Sequence, residues 1–381
     1  MRLVFLSVAV LAGCSTKDDD EEVGLPVLGL GSEGISNVQL IKVGTAQHGL
    51  NTPRDIAFNP DVPGELWVVN RADDSVTILS GVGSGDQTSE HIIDPFAMHF
   101  MDEVSSIAFG AAMHEASSSL NFGTCQESTN TYNGQGSSDY FMGPSLWSSD
   151  PDIFGESNSD AIAYLSDLFG FYTDLGSHLD MLHESPLCMG IAHDYDNVYW
   201  VFDGYNESIY RYDFQEDHGP GYDDHEDGIM TRFAEGEVSY EADVPSHMIL
   251  DKESRLLYIA DTGNNRIAVL DTESGEDGGS IATMEPGTTH LQMDDASIWT
   301  LVDGAEFGME APSGIDLIDG VIFVSDNSTS EILAFDVDGN LIDRLDTEIE
   351  SGSLMGIYAK SIEELWVTSA KENRVYRIEP R

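Results

Sequence analysis

One spacing recurs along this chain and limits its fold more than any other feature. A polar residue that closes one apolar run stands six positions before the first apolar residue of the next: Asn70 and Val76, Asp203 and Ile209, Asp261 and Ile267, Asp326 and Ile332, Ser369 and Val375. Each pair lies inside a larger unit. Pro53-Arg54-Asp55-Ile56 leads to Leu66-Trp67-Val68-Val69, and Cys188-Met189-Gly190-Ile191 leads to Val198-Tyr199-Trp200-Val201-Phe202. Pro245-Ser246-His247-Met248 leads to Leu256-Leu257-Tyr258-Ile259-Ala260, and Pro312-Ser313-Gly314-Ile315 and Leu354-Met355-Gly356-Ile357 open two more copies. A sixth, degenerate copy starts at Ser105-Ser106-Ile107-Ala108-Phe109, runs through Leu120-Asn121-Phe122 and keeps the spacing from Gln126 to Tyr132. Each unit reads as strand, turn, strand, polar hairpin, strand. Such repetition predicts one repeat architecture, although 381 residues alone allow two or three domains.

The units resemble the NHL family, most clearly in Ala260-Asp261-Thr262-Gly263-Asn264-Asn265-Arg266-Ile267, and the likeness covers about residues 38–381 apart from one insertion. The resemblance implies an all-β, six-bladed β-propeller with four antiparallel strands per blade around a central channel. It leaves function open, because NHL-like propellers include binders, scaffolds and enzymes. The third strand of the last unit is Val375-Tyr376-Arg377-Ile378; Val38-Gln39-Leu40-Ile41-Lys42 is predicted to supply its missing outer strand and so close the ring. Ile281 to Asp303 holds more residues than one outer strand needs, which leaves room for a seventh, degenerate blade.

The N-terminal residues carry a second signal. Arg2 precedes the apolar stretch Leu3 to Leu11, which is too short for a permanent membrane helix and ends in Leu11-Ala12-Gly13-Cys14. This segment resembles the lipobox of bacterial lipoproteins. The resemblance implies cleavage after Gly13, lipid on Cys14 and attachment to a membrane through the acyl chains. Residues 1–13 are then a signal peptide, 14–36 an acidic, Gly-rich tether, and 37–381 the propeller. Ser15 rather than Asp after the cysteine implies the outer membrane, on its periplasmic or surface face. The net charge of −53 makes nucleic acid and anionic headgroups poor partners. It fits either solubility in high salt or dense cation binding.

Between roughly residues 133 and 185 the repeat breaks. Ala161 to Leu168 has a helical apolar face, and Phe141, Trp147, Phe154, Tyr164, Phe169, Phe171 and Tyr172 are too many aromatics for a disordered linker. The segment is expected to fold as a lid over one mouth of the propeller. Cys125 and Cys188, the cysteines left after Cys14, read as one disulfide in an exported chain and would staple the base of this insertion.

Strand alternation puts Asn70, Asp203, Asp261, Asp326, His183 and His247 on one face, converging on the channel mouth. Such a ring of imidazoles and carboxylates could hold a catalytic metal; the acids could equally accept backbone N–H groups in their turns. Peptidyl-hydroxyglycine amidating lyases look similar, with histidines near several inner-strand starts, but the match here is His247 alone. A second cluster, Asp217 to Gly228, contains His218, Asp223, Asp224, His225 and Asp227. Its oxygens suit calcium without EF-hand spacing, and its histidines suit a transition metal such as zinc. His178, Asp180 and His183 form a third group, with Asp180 and His183 read as neighbours on one helix face. No Gly-x-Ser-x-Gly elbow or Gly-x-Gly-x-x-Gly helix start is present, so neither a serine nucleophile nor a nucleotide cofactor is implied. The expected function is an envelope-anchored binding or scaffolding module for a protein, glycan or small-molecule ligand, which Ca²⁺ could stabilise, with Ca²⁺ or Zn²⁺ as the candidate ions. The alternatives are a metal-dependent lyase or hydrolase at the channel mouth, and a structural propeller that packs on another envelope protein through an apolar patch on the insertion.

Overall fold

The physical basis of the six-residue spacing lies in the strand registers. The computed structural model describes residues 28, 34–113, 117–131 and 137–381. In it the polar residue pairs with the residue five positions on, and its apolar predecessor with the next: Asn70 faces Ser75 and Val69 faces Val76. Asp203–Ser208, Asp261–Arg266 and Ser369–Arg374 repeat the pairing, and Ser325 faces Ile332 in the same way. The last turn residue of all five hairpins is left-handed: Asp74, Glu207, Asn265, Ser330 and Asn373 have φ of 54°, 51°, 50°, 61° and 51°. Short polar side chains dominate these sites because they tolerate that conformation best.

The hairpins build six sheets among the described residues. Blade one is Pro53–Phe58, Glu65–Asn70, Ser75–Ser80 and Thr88–Ile92. Blade two is Val104–Phe109, Asn121–Gln126, Ser145–Ser148 and Asp180–Met181. Blade three starts with Cys188–His193, Val198–Asp203, Ser208–Asp213 and Ile229–Phe233. Blade four is Met248–Asp251, Leu256–Asp261, Arg266–Asp271 and Ile298–Asp303. Blade five is Pro312–Ile318, Val321–Asp326, Glu331–Asp336 and Leu341–Asp346. Blade six takes Leu354–Ser361, Glu364–Ser369 and Arg374–Pro380 from the end of the chain, and its outer strand is Val38–Thr45, paired antiparallel with Arg374–Pro380. The molecule is therefore the six-bladed propeller expected, closed by the predicted strand.

Large rings fill the spaces between blades. The third residue of the second strand is Trp67, Trp200, Tyr258, Phe323 or Trp366 in five blades, each almost fully buried. Burying each contributes on the order of 2–3 kcal/mol. Blade two has Gly123 there, and Tyr199 and Ile191 from blade three occupy the space a side chain would need.

At the hub the inner strands converge. The third residue of each inner unit is Asp55, Ser106, Gly190, His247, Gly314 or Gly356. A Cβ on Gly190 would stand 2.0 Å from Ser246 O, and one on Gly314 would stand 2.4 Å from Met355 O. Only glycine fits those approaches. Hydrogen bonds cross all six blade boundaries at this level. They are Ile107 N–H to Asp55 Oδ2 (3.0 Å), Ser105 Oγ to Cys188 O (2.6 Å), Ser246 N–H to Met189 O (3.0 Å), His247 N–H to Ser313 O (2.9 Å), Ser325 Oγ to Met355 O (2.6 Å) and Thr368 Oγ1 to Arg54 O (3.3 Å).

Three expectations change. The residues in excess between Ile281 and Asp303 form no seventh blade. Glu276–Ser280 and Thr289–Asp294 make a hairpin that extends blade three to six strands, with Thr289–Asp294 parallel to Ile229–Phe233. In blade two the third strand is Ser145–Ser148, not a strand opened at Tyr132, which lies outside the described residues. The insertion is thus split in two by blade two's own third strand, and Asp180–Met181 is its outer strand rather than helix. The signal peptide, Cys14 and nearly all of the tether also lie outside the described residues; Leu28 is buried beside Val38 in the core of blades five and six. No helix among the described residues is long and apolar enough to cross a membrane.

Val38 and Val43 are buried in the closing strand, each contributing about 2 kcal/mol. Removing Val38–Thr45 therefore exposes the edge of Arg374–Pro380. Calorimetry on that truncation should show a melting midpoint lower by at least about 5 °C together with aggregation. A chain starting at Pro26, which keeps the buried Leu28, should melt like the longer protein, and equal midpoints for both truncations would reject closure as a source of stability.

Candidate functional site

The channel is filled at one end. Arg54 is buried there, donating to Asp243 O at 2.5 Å, with Glu127 at 3.8 Å and Met355 sulfur at 3.3 Å. Burial pulls its guanidinium down to about 10, against the opposing pull of Glu127. Below it, His247 Nδ1 stands 3.5 Å from Asp55 Oδ1, and Nε2 donates to Ser105 O at 3.1 Å. Burial raises the Asp55 carboxyl, while His247 and two backbone N–H groups oppose the rise. The open part of the channel is a 280 Å³ funnel at the opposite end, walled mainly by Ile56, Phe58, Phe109, Ile191, Ile249 and Tyr358.

Among the described residues no ligand ring forms at the channel mouth. Asp203 accepts from Asn206 N–H (2.9 Å) and Asn206 Nδ2 (2.7 Å). Asp261 accepts from Ser239 N–H, Asn264 and Arg266, and Asp326 accepts from Glu310, Ala311 and Thr329 N–H. These acids are committed to turns, because a fully buried carboxylate must satisfy its oxygens locally. His247 belongs to the hub. His183, assigned to the mouth by strand alternation, sits instead at the rim of blades two and three.

The rim gathers what the sequence presents as separate groups. His225 Nδ1 donates to Asp180 Oδ1 at 2.6 Å, and its Nε2 lies 3.4 Å from Asp223 Oδ1. His183 and His178 pack with ring centres 5.7 and 6.0 Å from that of His225. His183 stacks on Phe141 and holds Glu285 at 3.0 Å through Nδ1; His178 stacks on Phe100 and uses Nδ1 on Leu175 O. His218 Nε2 donates to Asp227 Oδ1 at 2.8 Å, with Asp224 4.0 Å from Nδ1. His178 Nε2, His183 Nε2 and Asp180 Oδ2 are buried with no hydrogen-bond partner.

Electrostatics divides these groups by role. Burial lowers His225, but Asp180 and Asp223 outweigh it and lift the ring to about 10. Burial raises Asp180 to about 6 against the pull of His225, so the two form an ion pair at neutral pH. Burial drives His178 and His183 well below the usual histidine range, with the cation on His225 adding to the effect. Both stay neutral, each with an unprotonated nitrogen. Burial lifts Glu285 to about 7.

A 720 Å³ cavity opens over this cluster, with Phe141, Tyr164 and Tyr222 around His183, His225 and Glu285. Its cover is the insertion, which lies over the rim and not over a channel mouth. Asn158 caps the helix Ser159–Phe169 and donates from Nδ2 to Pro220 O at 2.8 Å; Gly221 N–H donates to His178 O at 2.8 Å. Ala161 and Leu165 face inward, while Tyr164, Leu168, Phe169, Phe171 and Tyr172 are exposed, an apolar patch of the kind the packing alternative requires. The disulfide Cys125–Cys188 joins blades two and three behind the site, with Cα atoms 5.0 Å apart. Glu285 was missed by sequence reasoning. The one hint was the surplus of residues after Ile281, which turns out to deliver it.

No known family profile matches the chain, and no curated protein matches it. Several solved structures share its fold. An auxiliary nutrient binding protein from Bacteroides ovatus superposes with a TM-score of 0.51 at 11% identity, over 91% of this chain and 77% of its own. The calcium-binding protein regucalcin from Agrobacterium tumefaciens gives 0.51 at 14% identity, over 91% and 95%. A luciferin-regenerating enzyme gives 0.51 at 13%, over 90% and 95%. At these identities the likeness shows the six-bladed propeller fold alone.

One turn acid, Asp203, generates a pH prediction. Burial raises Asp203 to about 7, against about 4 in the unfolded chain. Below about pH 4 both states hold the proton and the contribution is full. As pH rises toward 7 the unfolded chain releases its proton first, and stability falls by up to about 1.4 kcal/mol per unit. Denaturant titrations between about pH 5 and pH 7 should show this decline, and Asp203→Asn should flatten it. An unchanged slope in the variant would exclude Asp203 as a source.

Proposed function

We propose that this chain is an extracytoplasmic binding propeller of NHL-like repeats, held to the outer membrane by lipid on Cys14, with its ligand site in the lid-covered cavity at the rim of blades two and three. A divalent cation, calcium or zinc, bound among the rim acids and imidazoles completes the site. The observation that carries this reading is the cavity wall: the rings of Phe141, Tyr164 and Tyr222 stand over carboxylates and imidazoles in 720 Å³ of open space. Ring faces stack on the apolar faces of a sugar, and carboxylates accept from its hydroxyls. The same acids repel anions, so the ligand class is a neutral, polyhydroxylated molecule of saccharide size. The nutrient-binding neighbour supports a binding role on this scaffold.

Thermal shift with a panel of neutral mono- and disaccharides tests the assignment. At least one sugar should raise the melting midpoint of the wild type, and the shift should vanish in Tyr164→Ala/Tyr222→Ala, whose own midpoint should move little because Tyr164 is largely exposed. No shift across the panel, or one that survives the double substitution, would overturn it.

A further inference from the structure

Within the rim cluster three side chains meet in a way that hydrogen bonding alone does not explain. Asp180, His218 and Asp227 each bring one ligand atom to within 4.8 Å of the other two. They come from separate parts of the chain: the outer strand of blade two and the two ends of the loop that crosses the rim of blade three. Asp180 is fully buried, and while Oδ1 accepts from His225, Oδ2 has no partner. A buried carboxylate oxygen left unpaired costs on the order of 1–3 kcal/mol or more. Such an atom in a folded protein calls for an explanation, and at a point where two further ligand atoms converge a bound ion supplies one.

We propose that Asp180, His218 and Asp227 bind one divalent transition-metal ion, with His225 as a positioning residue behind Asp180. The inference rests on the rim cavity being the binding site, and it names the ion and its ligands. Two carboxylates cancel the charge of a divalent ion. The imidazole of His218 selects against calcium, which prefers six to eight oxygens, and in favour of zinc, cobalt, manganese or iron. His225 fixes the carboxylate as outer-shell partners of metal ligands do. His218 also lines the cavity, so three protein donors leave coordination positions facing it, open to water or to ligand hydroxyls. His178 and His183 are not ligands in this assignment. Their donor atoms are not among the three that converge, and their rings are packed on Phe100 and Phe141.

The test uses the whole mature chain, stripped with chelator and titrated with Zn²⁺, Co²⁺ and Ca²⁺ by calorimetry, with metal content read by mass spectrometry. One equivalent of Zn²⁺ should bind, Co²⁺ should bind with visible d–d absorption, and Ca²⁺ should not displace either. Asp180→Asn and His218→Ala should each weaken Zn²⁺ by at least about 100-fold, and His225→Gln by about 10-fold or more. His183→Ala should bind as the wild type does. His218 is partly exposed, so its variant reports on binding even if Asp180→Asn misfolds. Absence of stoichiometric metal, displacement by Ca²⁺, or unchanged affinity in His218→Ala would overturn the assignment. The Tyr164→Ala/Tyr222→Ala protein should keep its metal. Metal without any sugar binding would sink the saccharide reading alone, and sugar binding without metal would sink the ion alone.

Discussion

The ring of hydrogen bonds at the hub is the constraint on which the rest of the molecule depends. Six strands starting at one level can meet around an axis only if side chains withdraw, and Gly190, Gly314 and Gly356 supply that withdrawal. Asp55 and His247 then fill what little space is left: Asp55 ties its blade to the adjacent blade two, and His247 reaches across the hub to Ser105 of blade two. A hub this tight excludes a ligand from its narrow level. With Arg54 filling one end and an apolar funnel at the other, the polar chemistry of the molecule moves outward, to places where loops can lengthen without disturbing the convergence.

Blades two and three are where that lengthening happened. An outer strand has one free edge, and blade three uses it to take on an extra hairpin donated by blade four. Blade two opens both of its outer connections, and the second becomes the lid. The two additions face each other across the rim, and the disulfide between the blades keeps their relative position fixed beneath them. For a loop closed over 63 positions the chain-entropy contribution is on the order of 4 kcal/mol.

The fold was legible because its information is local. Five hairpins repeat one turn with one left-handed residue, so a single spacing located five blades and, by closure, the role of Val38–Thr45. Blade two resisted because the turn that carries the signal is replaced by a long connection, and Gly123 stands where other blades have a large ring. The site was legible only in pieces. Strand alternation sorts loops into two faces, but each blade twists from hub to rim, so the outer strands no longer point along the axis. Hence His183, placed at the mouth, and His225, read in a separate loop cluster, are neighbours. Asp180 was noticed but read on a helix, and Glu285 arrives on a hairpin that no repeat predicts. What a sequence loses here is proximity between loops of different blades.

The closing strand has a geometric consequence for how the molecule is presented. Blades follow one another around the ring in chain order, so blade six lies diametrically across from blade three. The segment upstream of Val38 leaves from the outer edge of blade six, because Val38 pairs with Pro380 at the end of its strand. A body suspended by that segment hangs from blade six like a wheel held at one point of its tyre. The lidded rim of blades two and three is the part of the circumference farthest from that strand, so a chain held by the residues before Val38 would carry the rim at the opposite end of the disc.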